Sequence, residues 1–152
     1  ENLKASYVPD GEESIVPELV EILIEKGFNI LYLPRYQDDQ RYVREHPKIF
    51  IPKAPLNGLD VCYYSSAVLT GAGTFAREAA ILGTPAISFF AGKKLLSVDQ
   101  SMIDSKMMYH SRNVSTILKI ISKTKKTKPQ FEKSKLVQKE VIELLEEIIL
   151  PK

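Results

Sequence analysis

Cysteine, histidine and tryptophan are scarce in this chain: 152 residues hold one cysteine, two histidines and no tryptophan. A single Cys62 excludes a disulfide framework within the chain and fits a reducing compartment, so a cytoplasmic location is expected. His46, His110 and Cys62 lie far apart, and no C-x-x-C or H-E-x-x-H spacing occurs, so no metal site is expected. No apolar run approaches the ~20 residues of a membrane helix, and no basic stretch leads into an apolar one. An integral membrane segment and a signal peptide are therefore not expected. The formal net charge of +2 gives no field that would announce nucleic acid. What is present is the balance of one globular domain, 44% hydrophobic and 26% charged. The opening "ENLKASYVPD" is a polar turn without an initiator Met, which suggests a fragment with sequence missing on its N-terminal side.

Periodicity supplies the organisation. "SIVPELVEILIEK" spaces Ile15, Leu19, Ile22 and Leu23 for one buried helical stripe, with Ser14 as cap, Pro17 in the first turn and Gly27 as stop. "FNILYLP" and "KIFIP" read as strands around a polar segment, "RYQDDQRYVREHP", of short helix or loop. "PLNGLDVCYYSSA" reads as a short helix with Tyr63 and Tyr64 at core and rim and Cys62 buried. Then follow the strand "AVLTG", a helix over about 74–82, a turn at Gly83, Thr84 and Pro85, and the strand "AISFF". "KKLLSVDQSMIDSK" reads as loop then helix, "MMYHS" as strand, and "NVSTILKIISK" as a helix capped by Asn113. A basic linker over about 123–129 carries Lys123, Lys125, Lys126 and Lys128 without interleaved aromatics. The last helix, about 131–149, has an apolar stripe of Leu136, Val137, Val141, Leu144, Leu145 and Ile148. Strands alternating with helices predict an α/β protein with a Rossmann-like three-layer α/β/α arrangement around a parallel sheet.

The chemistry concentrates in "GAGTFAREAAILGTP". Gly71, Gly73 and Ala76 spell G-x-G-x-x-A between a strand and a helix. Unpaired N–H groups and the helix dipole make such a place a ready anion site, and a plain tight turn has the same signature. A dinucleotide reading, with Lys93 and Lys94 taking the phosphorylated ribose of NADP, meets an objection. From Ala76 to Gly83 there are barely two turns, and no acid stands ~20 residues after the glycines. Glu78 offers another reading. One turn inside the helix, its carboxylate can accept two ribose hydroxyls from a nucleotide whose phosphates sit at the helix start. Arg77 stands near a helix start whose dipole disfavours cations, which suggests either an anion nearby or a solvated side chain.

This segment resembles the G-x…E-A-x-x-x-G-x-P stretch in the C-terminal domain of GT-B sugar-nucleotide enzymes, a group that includes UDP-N-acetylglucosamine 2-epimerases and glycosyltransferases. The resemblance implies phosphate contacts from the amides of Ala72, Gly73 and Thr74 and a ribose contact from Glu78. Asp99 and Gln100 resemble the acid–amide pair that grips the donor sugar. The epimerase His-Arg-Arg-Glu-Asn-type motif is absent from "SYVPDGEES". Across "KASYVPDGEESIVPELVEIL", "LPRY", "NGLDVCYYSSAVLTGAGTFAREAAILGTPAISFF", "KLLSVDQSMI" and "MMYHS" the chain is also similar to a mostly archaeal domain family of unknown function, numbered three hundred fifty-four. The resemblances imply the C-terminal half of a GT-B-like protein, without its N-terminal domain and first strand. They also imply a UDP-type nucleotide-sugar ligand and no required cofactor.

Further candidates are Arg35 and Tyr36 for a base pocket and His110, at a strand's end, as a general base. An NADP-binding oxidoreductase domain and a non-catalytic interaction module remain the alternatives. The last helix is expected to meet the missing N-terminal domain or a second copy in a homodimer.

Overall fold

The computed structural model describes residue 3 and residues 8–129 and 131–149. Residues 4–7 at the start of the family-like stretch, Gln130 of the linker and Leu150 beyond the last helix lie outside the described residues.

The chain folds into a mixed α/β structure with parallel sheets. In order it forms α1 (Val16–Glu25), β1 (Ile30–Leu31), a 3-10 helix (Gln37–Tyr42), β2 (Ile49–Phe50), α2 (Gly58–Tyr64), β3 (Val68–Thr70) and α3 (Gly73–Ile81). After these come β4 (Ala86–Ser88), α4 (Ser97–Asp104), β5 (Tyr109–His110), α5 (Val114–Lys123) and α6 (Phe131–Ile149). The expected single sheet is divided into two ladders among the described residues. β1 pairs with β2, and β3, β4 and β5 pair side by side, all parallel.

Period-2 alternation sorts the strand side chains onto two faces. Leu69, Ile87, Phe89 and Tyr109 turn to one core, with Ile30 and Ile49 of the smaller ladder. Val16, Leu19, Val20, Leu23 and Ile24 of α1 and Val114 and Ile117 of α5 close that core. Each such aliphatic side chain contributes about 2 kcal/mol on burial. Val68, Ala86 and Met108 turn to the opposite core, closed by Cys62 of α2 and Ala76, Ala79 and Ala80 of α3, with Met102 and Ile103 of α4 against it. The small alanines let α3 lie close on β3 and β4. The result is three layers, as a Rossmann-like fold has.

Local chemistry explains the ends. Asn57 and Asn113 cap α2 and α5 through their side-chain oxygens. Ser14 accepts the Val16 N–H, so α1 starts two residues later than the sequence suggests. Tyr63 and Tyr64 depart from expectation: neither is core, being 40% and 80% exposed, and their rings meet edge to face. α2 turns Cys62 inward instead. Every described side chain of the amphipathic α6 is exposed.

Gly83, which stops α3, adopts φ +75°. Its carbonyl accepts the Thr127 N–H at 2.8 Å, so the basic linker returns to this turn. A Cβ here would stand 2.9 Å from the Thr127 carbonyl carbon. Gly83→Ala combines positive φ with a backbone clash and is expected to lose about 2–3 kcal/mol of stability. Urea denaturation checks this, and an unchanged midpoint would contradict it.

Candidate functional site

β3 ends at Thr70, and the chain crosses to α3 through Gly71 and Ala72. The Thr70 hydroxyl accepts the Ala72 N–H at 3.0 Å and shapes the turn. Ala72 is the N-cap, extended in backbone, and no side chain caps the first turn of α3. The leading N–H groups of that helix therefore face outward at the carboxyl end of a parallel sheet, where α/β folds bind ligands.

Two charged groups close over this turn. Arg77 leans back toward the helix start, as helical side chains do, and its Nη2 donates to Thr74 Oγ1 at 2.9 Å. Its Nη1 donates to Asp99 Oδ1 of α4 at 2.6 Å. Asp99 is buried, 6% exposed. Gly73 has a steric reason: a Cβ there would lie 2.9 Å from Asp99 Oδ2 and 3.0 Å from Arg77 Nη1. The glycine makes room for the ion pair.

Glu78 is half-buried, one residue further along α3. It stands near enough to Cys62 for its charge to add to burial, and together they push the Cys62 thiol up to about 11. Cys62 is fully buried and behaves as a small hydrophobe with a weak donor, its Sγ 3.8 Å from the Phe75 carbonyl.

The structure brings Ala72, Gly73, Thr74, Arg77 and Asp99 together and sets Glu78 beside them. Gln100, adjacent to Asp99, is exposed and donates to Asp104 Oδ1 at 2.8 Å. Arg35 and Tyr36 follow β1, both exposed, with the guanidinium 5.7 Å from the Tyr36 ring centre. Lys93 and Lys94 are exposed in the loop between β4 and α4. Lys123, Lys125, Lys126 and Lys128 are exposed, and Lys126 lies 4.7 Å from the Tyr63 ring centre.

Sequence reasoning missed a polar row. Thr70, Ser88 and His110 lie in register across β3, β4 and β5, at the carboxyl end and on the face toward α3 and α4. The signal was there: each of the three strands ends in a polar residue in phase with its inward apolar one. Ser88 is buried, and its hydroxyl accepts the Phe90 N–H. His110 Nδ1 is buried without a hydrogen-bond partner. Burial lowers the His110 pKa; Arg112 lowers it further, while the Ser88 backbone and Asp99 oppose that.

That shift has a consequence for stability. The fold holds the imidazole neutral, so below about pH 6.5 the unfolded chain binds more protons than the folded one. Stability therefore falls as pH falls through and below that value. Thermal melts between about pH 7 and pH 5 should show this slope, reduced in His110→Asn. An identical slope in the variant would contradict the assignment.

Fold and site together define an α/β protein with a helix start that no side chain caps at a strand's carboxyl end and a part-buried Arg–Asp pair over it. The family model described as "Protein of unknown function (DUF354)" matches residues 1–150, and the chain belongs to that family. The uncharacterized protein MJ0665 of Methanocaldococcus jannaschii is 31% identical over 113 residues, which cover 74% of this chain and 33% of the relative. The chain thus spans about a third of the length of the curated relative it matches. No solved structure matches it. Among the described residues, no helix is long and apolar enough to cross a membrane, and no three His, Cys, Asp or Glu side chains are grouped to hold a metal ion.

Proposed function

We infer that this chain binds the diphosphate of a nucleotide-sugar. The observation that carries the reading is the uncapped first turn of α3 at the carboxyl end of β3, with Glu78 half-buried one turn inside. The amides of Gly73 and Thr74 receive the phosphates, favoured by the helix dipole, and that of Ala72 joins them by exchanging its bond to the Thr70 hydroxyl. Glu78 accepts the ribose hydroxyls, and a UDP-type nucleotide fits that order of groups. Arg35 and Tyr36 lie after β1, at the carboxyl end of another strand, where a base could stack on the ring. Asp99, whose second oxygen lies near Gly73, is proposed to meet the sugar.

The parent protein is proposed to be GT-B-like, with this chain as its C-terminal half. It would transfer or rearrange the activated sugar in a cleft between two domains, so this chain alone would be inactive. The greater length of the relative leaves room for such a second domain. Calorimetric titration of the full-length protein with UDP, UDP-N-acetylglucosamine and NADP tests the reading. Saturable binding of the uridine ligands is expected. Binding of NADP alone would replace it with a dinucleotide site.

A further inference from the structure

Arg77 and Asp99 are each placed where only the other holds them. The Arg77 guanidinium sits over the start of α3, where the helix dipole disfavours a cation, and it is kept there by Asp99 Oδ1 and Thr74 Oγ1. Asp99 lies in the first turn of α4, a position whose dipole favours a carboxylate, and it is buried. Arg77 is its one hydrogen-bonding partner among the described residues. We propose that this ion pair is a latch that makes the site select a diphosphate carrying a sugar over the free nucleoside diphosphate. The proposal rests on the diphosphate reading of the α3 turn and adds to it a basis for choice between ligands.

The geometry puts the latch in the path of the ligand. The position of a Cβ on Gly73 is 2.9 Å from Asp99 Oδ2 and 3.0 Å from Arg77 Nη1, so both charges crowd the first residue of α3. A diphosphate on the amides of Gly73 and Thr74 therefore arrives beside a cation and an anion together. A guanidinium pairs with phosphate through two N–H groups at once, and a diphosphate brings more charge than one carboxylate. Arg77 belongs to α3 and already reaches back over its first turn to Thr74. Turning its side chain moves the guanidinium from Asp99 to the incoming phosphate.

Asp99 then stands without its partner. It belongs to α4, not α3, and at 6% exposure it meets little water. A buried carboxylate without donors is costly, and a phosphate beside it adds repulsion. A sugar on the distal phosphate brings hydroxyl donors that replace the lost N–H of Arg77. Free UDP brings none there, and its terminal phosphate carries additional negative charge. The same exchange thus favours the sugar diphosphate and penalises the bare one.

Calorimetry of the full-length protein with UDP and UDP-N-acetylglucosamine tests the latch in wild type and Asp99→Asn. Asparagine keeps the size of the side chain and an oxygen that can accept from Arg77, and it removes the charge. Wild type is expected to bind UDP-N-acetylglucosamine at least about tenfold more tightly than UDP. In Asp99→Asn that ratio should narrow to within about twofold, chiefly through tighter binding of UDP. A merely structural Asp99 would weaken both ligands alike and leave the ratio unchanged, which would overturn the latch. Wild type that binds UDP as tightly as UDP-N-acetylglucosamine would also overturn it. The Arg77→Gln, Asp99→Asn double variant, which leaves no unpaired charge, serves if the single variant does not fold, and the same narrowed ratio is expected of it. Failure of both ligands to bind any of these proteins would instead overturn the diphosphate reading itself, so the two failures are distinct.

Discussion

Glu78→Ala is expected to weaken nucleotide-sugar binding by about a hundredfold. In the proposed complex the carboxylate would accept two charge-assisted hydrogen bonds from ribose, each contributing about 1.5 kcal/mol or more. Its position in α3 keeps it half-buried, where water competes less. Glu78 has no side-chain hydrogen bond or ion pair within the described residues that its loss would leave unsatisfied, so the fold should tolerate the change. Calorimetry of variant and wild-type full-length protein, with denaturation as a control, separates the two effects. A Glu78→Ala protein that binds with unchanged affinity would remove Glu78 from the site.

Asp99→Ala acts on the fold as well as on the site. It leaves the Arg77 guanidinium, 22% exposed, facing a cavity where its partner stood. Removing one member of a buried pair costs about 3–5 kcal/mol; the partial exposure of Arg77 places this pair toward the lower end. The Arg77→Ala, Asp99→Ala double variant should recover part of that loss, because it leaves no uncompensated charge. Urea midpoints of the four proteins close the cycle. Additive losses would show that the two side chains are not coupled, against the 2.6 Å contact.

The fold was legible where local rules suffice. The stripe of α1, the capping asparagine of α5 and the short α3 stopped by Gly83 all follow from spacing and backbone chemistry. Pairings between distant segments did not follow. Arg77 and Asp99 are 22 residues apart, and nothing local says that α4 lays its acid over the start of α3. Arg77 alone showed as an oddity of charge against the dipole. Gly73 was legible as a glycine suited to a phosphate loop, while its role in seating the ion pair needed the three-dimensional approach of α4. The Thr70, Ser88 and His110 row depends on strand register, which single strands of two or three residues do not specify. Tyr63 and Tyr64 misled because an aromatic pair on a short helix suggests core, whereas α2 has only Cys62 fully buried. The division into two ladders was hidden because strand order is a property of the whole layer.

The central claim is that the first turn of α3 receives a nucleotide diphosphate. Amide shifts of the full-length protein titrated with UDP-N-acetylglucosamine test it most directly. The largest saturable shifts are expected on the N–H groups of Ala72, Gly73 and Thr74, with UDP reproducing them and uridine not. Shifts centred on Lys93 and Lys94, or none on residues 72–74 at saturating ligand, would contradict it.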